Sequence, residues 1–299
     1  STTFLPYGKN KVTIDINDKW GTGLCAPLSD SKALHERILP GRAVKYPYLT
    51  VADFFEDTII KMPYKLNSAA YFNGNVESAK ELDESYLLPF KPALFNYFTT
   101  DELKSMIKMT VSGSVVQITL EIPIQNYSGR SPISYISYTK QYQQNKNEIH
   151  NIGDTTLAKF GLGVFPLVMT DDVRVADYRI ALFDKTGISN VKFYHKANEV
   201  VDVKSKQRRE YNTVCGIKTY VISKQHFDRI DICIGNNHGY IIPIFDKNEG
   251  TKNFHFAVDF GTTNTHIAYS VDNERDSSAF ECKPQMIRLH ESYGADKDI

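Results

Sequence analysis

The residues best suited to chemistry lie together at positions 254–271, FHFAVDFGTTNTHIAYSV, where alternating apolar residues deliver one acid, Asp259, into a Gly-Thr-Thr-Asn loop. Phe254, Phe256 and Val258 fall on one face of an extended segment, and His255, Ala257 and Asp259 fall on the other. Ile267, Tyr269 and Val271 repeat the alternation beyond the loop, so the pattern predicts strand, loop, strand. Gly261 leaves the backbone N–H groups unobstructed, Thr262, Thr263 and Thr265 offer hydroxyls, and Asp259 offers a carboxylate. Together these groups suit a phosphate and its hydrated magnesium ion, and a nucleotide is the ligand they predict. The same residue types also compose an ordinary polar hairpin tip, which leaves open a non-catalytic, β-rich protein-interaction module.

The stretch Val258-Asp-Phe-Gly-Thr-Thr-Asn-Thr265 resembles the first phosphate motif of the superfamily that unites actin-like ATPases, sugar kinases and seventy-kilodalton heat-shock chaperones, the chaperones most nearly. That resemblance implies that Asp259 holds Mg2+ through water, that Gly261, Thr262 and Thr263 wrap the β- and γ-phosphates of ATP, and that Asn264 supports the turn. In the superfamily this motif opens the ATPase domain, and a second phosphate loop and an adenosine loop follow it. Here Gly261 stands near position 299, and the preceding residues hold no second Asp-x-Gly loop after a strand. The expectation is therefore the front part of a longer ATP-binding protein, not catalytic by itself, with a recognition or assembly module ahead of the motif. A hairpin alone is marginal in water, so this one is expected to lean on residues 1–252 or on a neighbouring copy.

Other chemistries lack their residues. The Asp-Phe-Gly tripeptide has no His-Arg-Asp loop upstream, Gly216-Ile-Lys-Thr219 lacks the first glycine of a P-loop, and no G-x-S-x-G elbow is present. The four cysteines, Cys25, Cys215, Cys233 and Cys282, are scattered without a CxxC pair and read as free thiols; the eight histidines form no HExxH pair. No structural metal is expected from these spacings.

Lysine plus arginine equals aspartate plus glutamate at 35 each, so no global field draws the chain to nucleic acid or to an anionic membrane. The run KSKQRR at 204–209 reads as a solvated loop. The longest apolar runs fall far short of a membrane helix, and no signal peptide opens the sequence, which makes the cytoplasm the expected compartment.

The elements expected around the motif are α+β and mainly β. They comprise helices at 29–39 and 50–61, a short helical turn at 93–98, a capped turn from Thr100, and a hairpin of 108–111 with 114–124 around Ser112-Gly113. Polar residues 138–153 read as a loop or strand extension. Strands follow at 161–169, 173–183, 191–195, 213–222 and 227–234, the last turning at 235–239 into another strand. Three regions result: a mixed part, 1–98; a β-rich part, 99–252, sandwich-like or a twisted mixed sheet, that takes a protein partner; and the start of the ATPase domain, 253–299.

Overall fold

The strand Val115–Gln125 organises the largest sheet, because Val116, Ile118, Leu120 and Ile122 alternate with polar residues and are all buried. The computed structural model describes residues 2–4, 13–14, 26, 28–37, 49–125, 133–144, 152–170, 172–184, 189–210, 213–247, 252–261, 265–272, 274–280 and 287–288. Within them the chain is α+β and mainly β. Val115–Gln125 pairs along one side with Ile133–Gln143 and along the other with Ile107–Ser112 and then Thr2–Phe4. Ile152–Leu157 joins in parallel between Ile133–Gln143 and Thr58–Met62. The expected hairpin around Gly113 is present, and that glycine's φ of 58° is the left-handed conformation the tight turn needs.

Two cores form. The first lies over the large sheet and takes Val51, Phe54, Leu94, Phe95 and Leu103 from the helical segments. The second lies between two five-stranded sheets packed face to face. One of these holds Gly161–Phe165, Asp177–Phe183 and Thr213–Ser223; the other holds Ser189–His195, Arg229–Ile234 and Asn237–Pro243. Asn237–Pro243 serves both cores, with Tyr240 and Ile242 in the first and Ile241 in the second. Both cores draw side chains from either side of residue 98.

Several local expectations change. Residues 50–61 are not one helix: a single turn, Val51–Phe54, gives way to the strand Thr58–Met62, which sends Ile59 into the first core and Ile60 and Met62 into the second. Apolar residues needed on both faces produced a run whose period could pass for helical. Of the helix expected at 29–39, the described residues show only the 3-10 turn Leu34–Glu36. The polar residues 138–143 continue a central strand, and 204–209 lie in the strand Lys204–Glu210, paired to Thr213–Ser223 at the sheet's edge. The turn at Thr100 is the helix Thr100–Met106, whose N-cap Thr99 exchanges hydrogen bonds with Glu102.

Two buried cations fasten the elements. Arg37 donates to both oxygens of Asp53, at 2.5 and 2.9 Å, and Asp53 also accepts from the Thr50 backbone N–H at 2.7 Å. Burial works against the Asp53 carboxylate, but these donors outweigh it and hold its pKa below the ordinary 3.8. Arg229, only 1% exposed, lies 3.8 Å from the Phe95 ring centroid and 4.6 Å from that of Tyr194. It donates to the Lys196 carbonyl, while its Nε has no hydrogen-bond partner among the described residues.

A carboxylate with a depressed pKa stabilises the fold fully above its unfolded value and loses that contribution as the pH falls through the folded one. Asp53→Asn should therefore cost about 1–2 kcal/mol at neutral pH and flatten the acid limb of a stability–pH curve below pH ~4. Urea midpoints measured from pH 3 to 7 check this; an unchanged acid limb would refute it. Arg229 also lies 3.5 Å from the Asp228 carboxylate, so Arg229→Met should cost about 3 kcal/mol in urea denaturation by leaving Asp228 poorly compensated, and adding Asp228→Asn should restore part of that loss.

Candidate functional site

Strand Phe254–Phe260 pairs antiparallel with Thr265–Val271, in the register Phe254↔Val271 through Asp259↔His266 to Phe260↔Thr265. This is the strand, loop, strand read from the sequence. Asp259 sits opposite His266 one position before the strand ends, and Gly261 opens the connection. Both residues are exposed. Thr262, Thr263 and Asn264, the other residues expected from the sequence to meet a phosphate, lie outside the described residues. The base of the hairpin is closed by reciprocal contacts: Asn253 N donates to the Asp272 carboxylate at 2.9 Å, and Asp272 N donates to the Asn253 carbonyl at 2.6 Å. Ser278–Ala279 adds a third short strand beside Thr265–Val271.

The two faces of this small sheet differ. Asp259 shares its face with His255 and Ala257, while Phe254, Phe256 and Val258 occupy the other. There Phe256 lies 6.1 Å from Phe254, 6.2 Å from Tyr269 and 5.6 Å from Phe280, ring centroid to ring centroid. These rings pack on one another: Phe254 and Phe256 are 50% and 55% exposed. The hairpin is expected to lean on residues 1–252 or on a neighbouring copy; among the described residues it joins neither core. Its apolar residues already meet across the strands.

A second constellation was not anticipated. Asp231 and Cys233 project from the same face of Arg229–Ile234, and His238 stands directly across from Cys233 in the partner strand. Cys233 Sγ is 3.3 Å from His238 Nδ1, and that nitrogen is 3.1 and 3.4 Å from the two Asp231 oxygens. Gly239, the next residue, lets the strand press against Leu87, where a Cβ would come within 2.6 Å of the leucine's own Cβ. Asp231 is buried; Cys233 and His238 are half-buried. Burial, reinforced by the Asp231 carboxylate, pushes the Cys233 thiol up to about 12. The thiol and the carboxylate also face the same imidazole nitrogen, whereas a nucleophilic Cys–His–Asp relay uses one ring nitrogen for each. The cluster therefore lacks the arrangement of a cysteine hydrolase. Its sequence signature is Asp-x-Cys followed by a histidine across a two-residue turn, legible only once the register of the hairpin is fixed.

Comparison with protein families, with curated proteins and with solved structures found no match to this chain. Function is read from these residues and their geometry.

A sheet held only by its own rings should open more readily than the cores. Amide hydrogens of Phe254–Phe260 should exchange faster, by about tenfold or more, than those of Val115–Gln125, as measured by hydrogen–deuterium exchange. Equal protection of the two strands would mean that the hairpin is buried in solution.

Proposed function

We propose that residues 254–271 form the phosphate-binding hairpin of an ATP-dependent switch or ATPase related to heat-shock chaperones and actin-like proteins, with residues 1–252 as a recognition or assembly module that engages a protein partner in the cytoplasm. One observation carries this reading: an antiparallel hairpin carries Asp259 on its polar face, two residues before Gly261, and both residues are exposed. Such a hairpin presents a carboxylate to hydrated Mg2+ and backbone N–H groups to the β- and γ-phosphates. The ligand set would be Asp259, Gly261, Thr262, Thr263 and Asn264, with Asp259 holding the metal through water. The exposed rings of Phe254, Phe256 and Phe280 fit the same reading, because a phosphate hairpin belongs to a larger sheet that covers its apolar face. Those rings also favour a second reading, a protein-interaction module in which residues 259–265 are only a polar tip.

A single hairpin reaches one side of a triphosphate, which leaves most of the nucleotide hydrated. Mg-ATP should therefore bind residues 1–299 with an affinity of ~1 mM or poorer, without turnover. In the protein carrying the complete nucleotide domain, Asp259→Ala should abolish ATP hydrolysis by removing the group that positions the metal. Titration calorimetry and a phosphate-release assay test both statements. An active protein indifferent to Asp259→Ala would exclude this loop as the nucleotide site and leave the interaction module as the better reading.

A further inference from the structure

We propose that Asp231, Cys233 and His238 are three protein ligands of a divalent transition-metal ion of the zinc class, held on the face of the hairpin Arg229–Pro243 that lies away from the second core. Backbone pairing brings the three donors together. Asp231 and Cys233 are two residues apart on one strand face, and the pair Cys233↔His238 adds the imidazole across the ladder. The intervening Ile230, Ile232 and Ile234 are anchored in the second core, so the opposite face is presented by a fixed strand. This preorganisation lowers the ordering cost of binding an ion.

The distances fit one ion. Zinc bonds of about 2.3 Å to sulfur and about 2.0 Å to nitrogen and oxygen, at tetrahedral angles, place donors roughly 3.3–3.5 Å apart. Here sulfur and nitrogen are 3.3 Å apart, nitrogen and the carboxylate oxygens 3.1 and 3.4 Å. All three donors lie within 4.8 Å of one another. A thiolate, an imidazole and one carboxylate together select zinc or cobalt over magnesium or calcium, which separates this site from the magnesium expected with ATP at Asp259.

Charge favours the same assignment. Asp231 is a buried acid. Two lysines stand close: Lys192 pairs with Glu199 at 3.1 Å, and Lys91 donates to the Ala52 carbonyl at 2.8 Å. A divalent ion takes the place of the Cys233 proton, which leaves for solvent, and binds the Nδ1 lone pair while the ring proton sits on Nε2. The His238 side chain is 41% exposed, so ions enter from its side and water fills the fourth position.

Cobalt reports this geometry directly. The chain of residues 1–299, stripped with a chelator and desalted, is titrated with Co2+ and followed by absorption. One equivalent should saturate a near-ultraviolet thiolate-to-cobalt band together with the visible bands of a tetrahedral ion, and Zn2+ should displace both while Mg2+ leaves them unchanged. Cys233→Ser should abolish the thiolate band. Loss of an outer partner alone costs 10–100-fold in metal affinity, so losing a ligand in His238→Gln, at a half-exposed position that folding tolerates, should weaken binding by about 100-fold or more. Combined Cys25→Ser, Cys215→Ser and Cys282→Ser should retain the band. Absence of a thiolate band at saturating Co2+, a band that survives Cys233→Ser, full affinity in His238→Gln, or loss of the band in the triple variant would each overturn the assignment.

Discussion

The fold depends on a buried cation among aromatic rings. The Arg229 guanidinium lies against Phe95 from the 3-10 turn Pro92–Asn96, Tyr194 from Ser189–His195 and Tyr240 from Asn237–Pro243. Phe95 and Tyr240 belong to the first core, while the strand carrying Arg229 places Ile230 and Ile232 in the second. One side chain thus ties the two cores at the sheet they share. Each ring contributes about 0.5–2 kcal/mol when desolvated, which helps to offset the burial of a charge whose Nε lacks a partner. Burial lowers the Arg229 pKa and raises that of its neighbour Asp228, so the fold holds both groups against their desolvation.

The middle sheet explains why polar groups accumulate there. Covered on both faces, it would ordinarily be apolar throughout, yet one face of Arg229–Ile234 carries Arg229, Asp231 and Cys233 in succession. Aromatic rings accommodate the first; His238 accommodates the other two. The hairpin at 254–271 follows the opposite logic, with its apolar residues outward and its single acid at an open tip. Order within the folded body and availability at the hairpin are thus assigned to different parts of the chain.

Much of this was legible in the sequence wherever alternation met turn chemistry. Residues 108–124 and 254–271 read correctly as hairpins because each has one consistently apolar face and a Gly-containing turn. Residues 50–61 misled because Ile59, Ile60 and Met62 feed cores on both sides, which erases the two-residue period. The KSKQRR run misled for the converse reason: a strand at a sheet's edge can be polar on both faces, and exposed lysines there also deter edge-to-edge pairing. The hairpin puts Asp259 in its first strand and Gly261 just beyond it, the strand-to-loop order the pattern predicts. The Asp231–Cys233–His238 cluster escaped notice because its spacing is set by a ladder register, and metal motifs are recognised by spacing along the chain.

The same ladders fix an order of events during synthesis. Thr58–Met62 must wait for Ile152–Leu157 to complete its parallel edge, and Tyr71–Phe72 pairs, among the described residues, with Ile242 and Pro243. When the first hundred residues have been made, Thr58–Met62 has its short antiparallel neighbour Ser85–Tyr86 but not its parallel one, and Ile59, Ile60 and Tyr71 still lack most of the core residues that cover them. Such delayed closure makes folding slow and the nascent chain adhesive. The hairpin at 254–271, whose two strands are neighbours in sequence, can close as soon as it emerges.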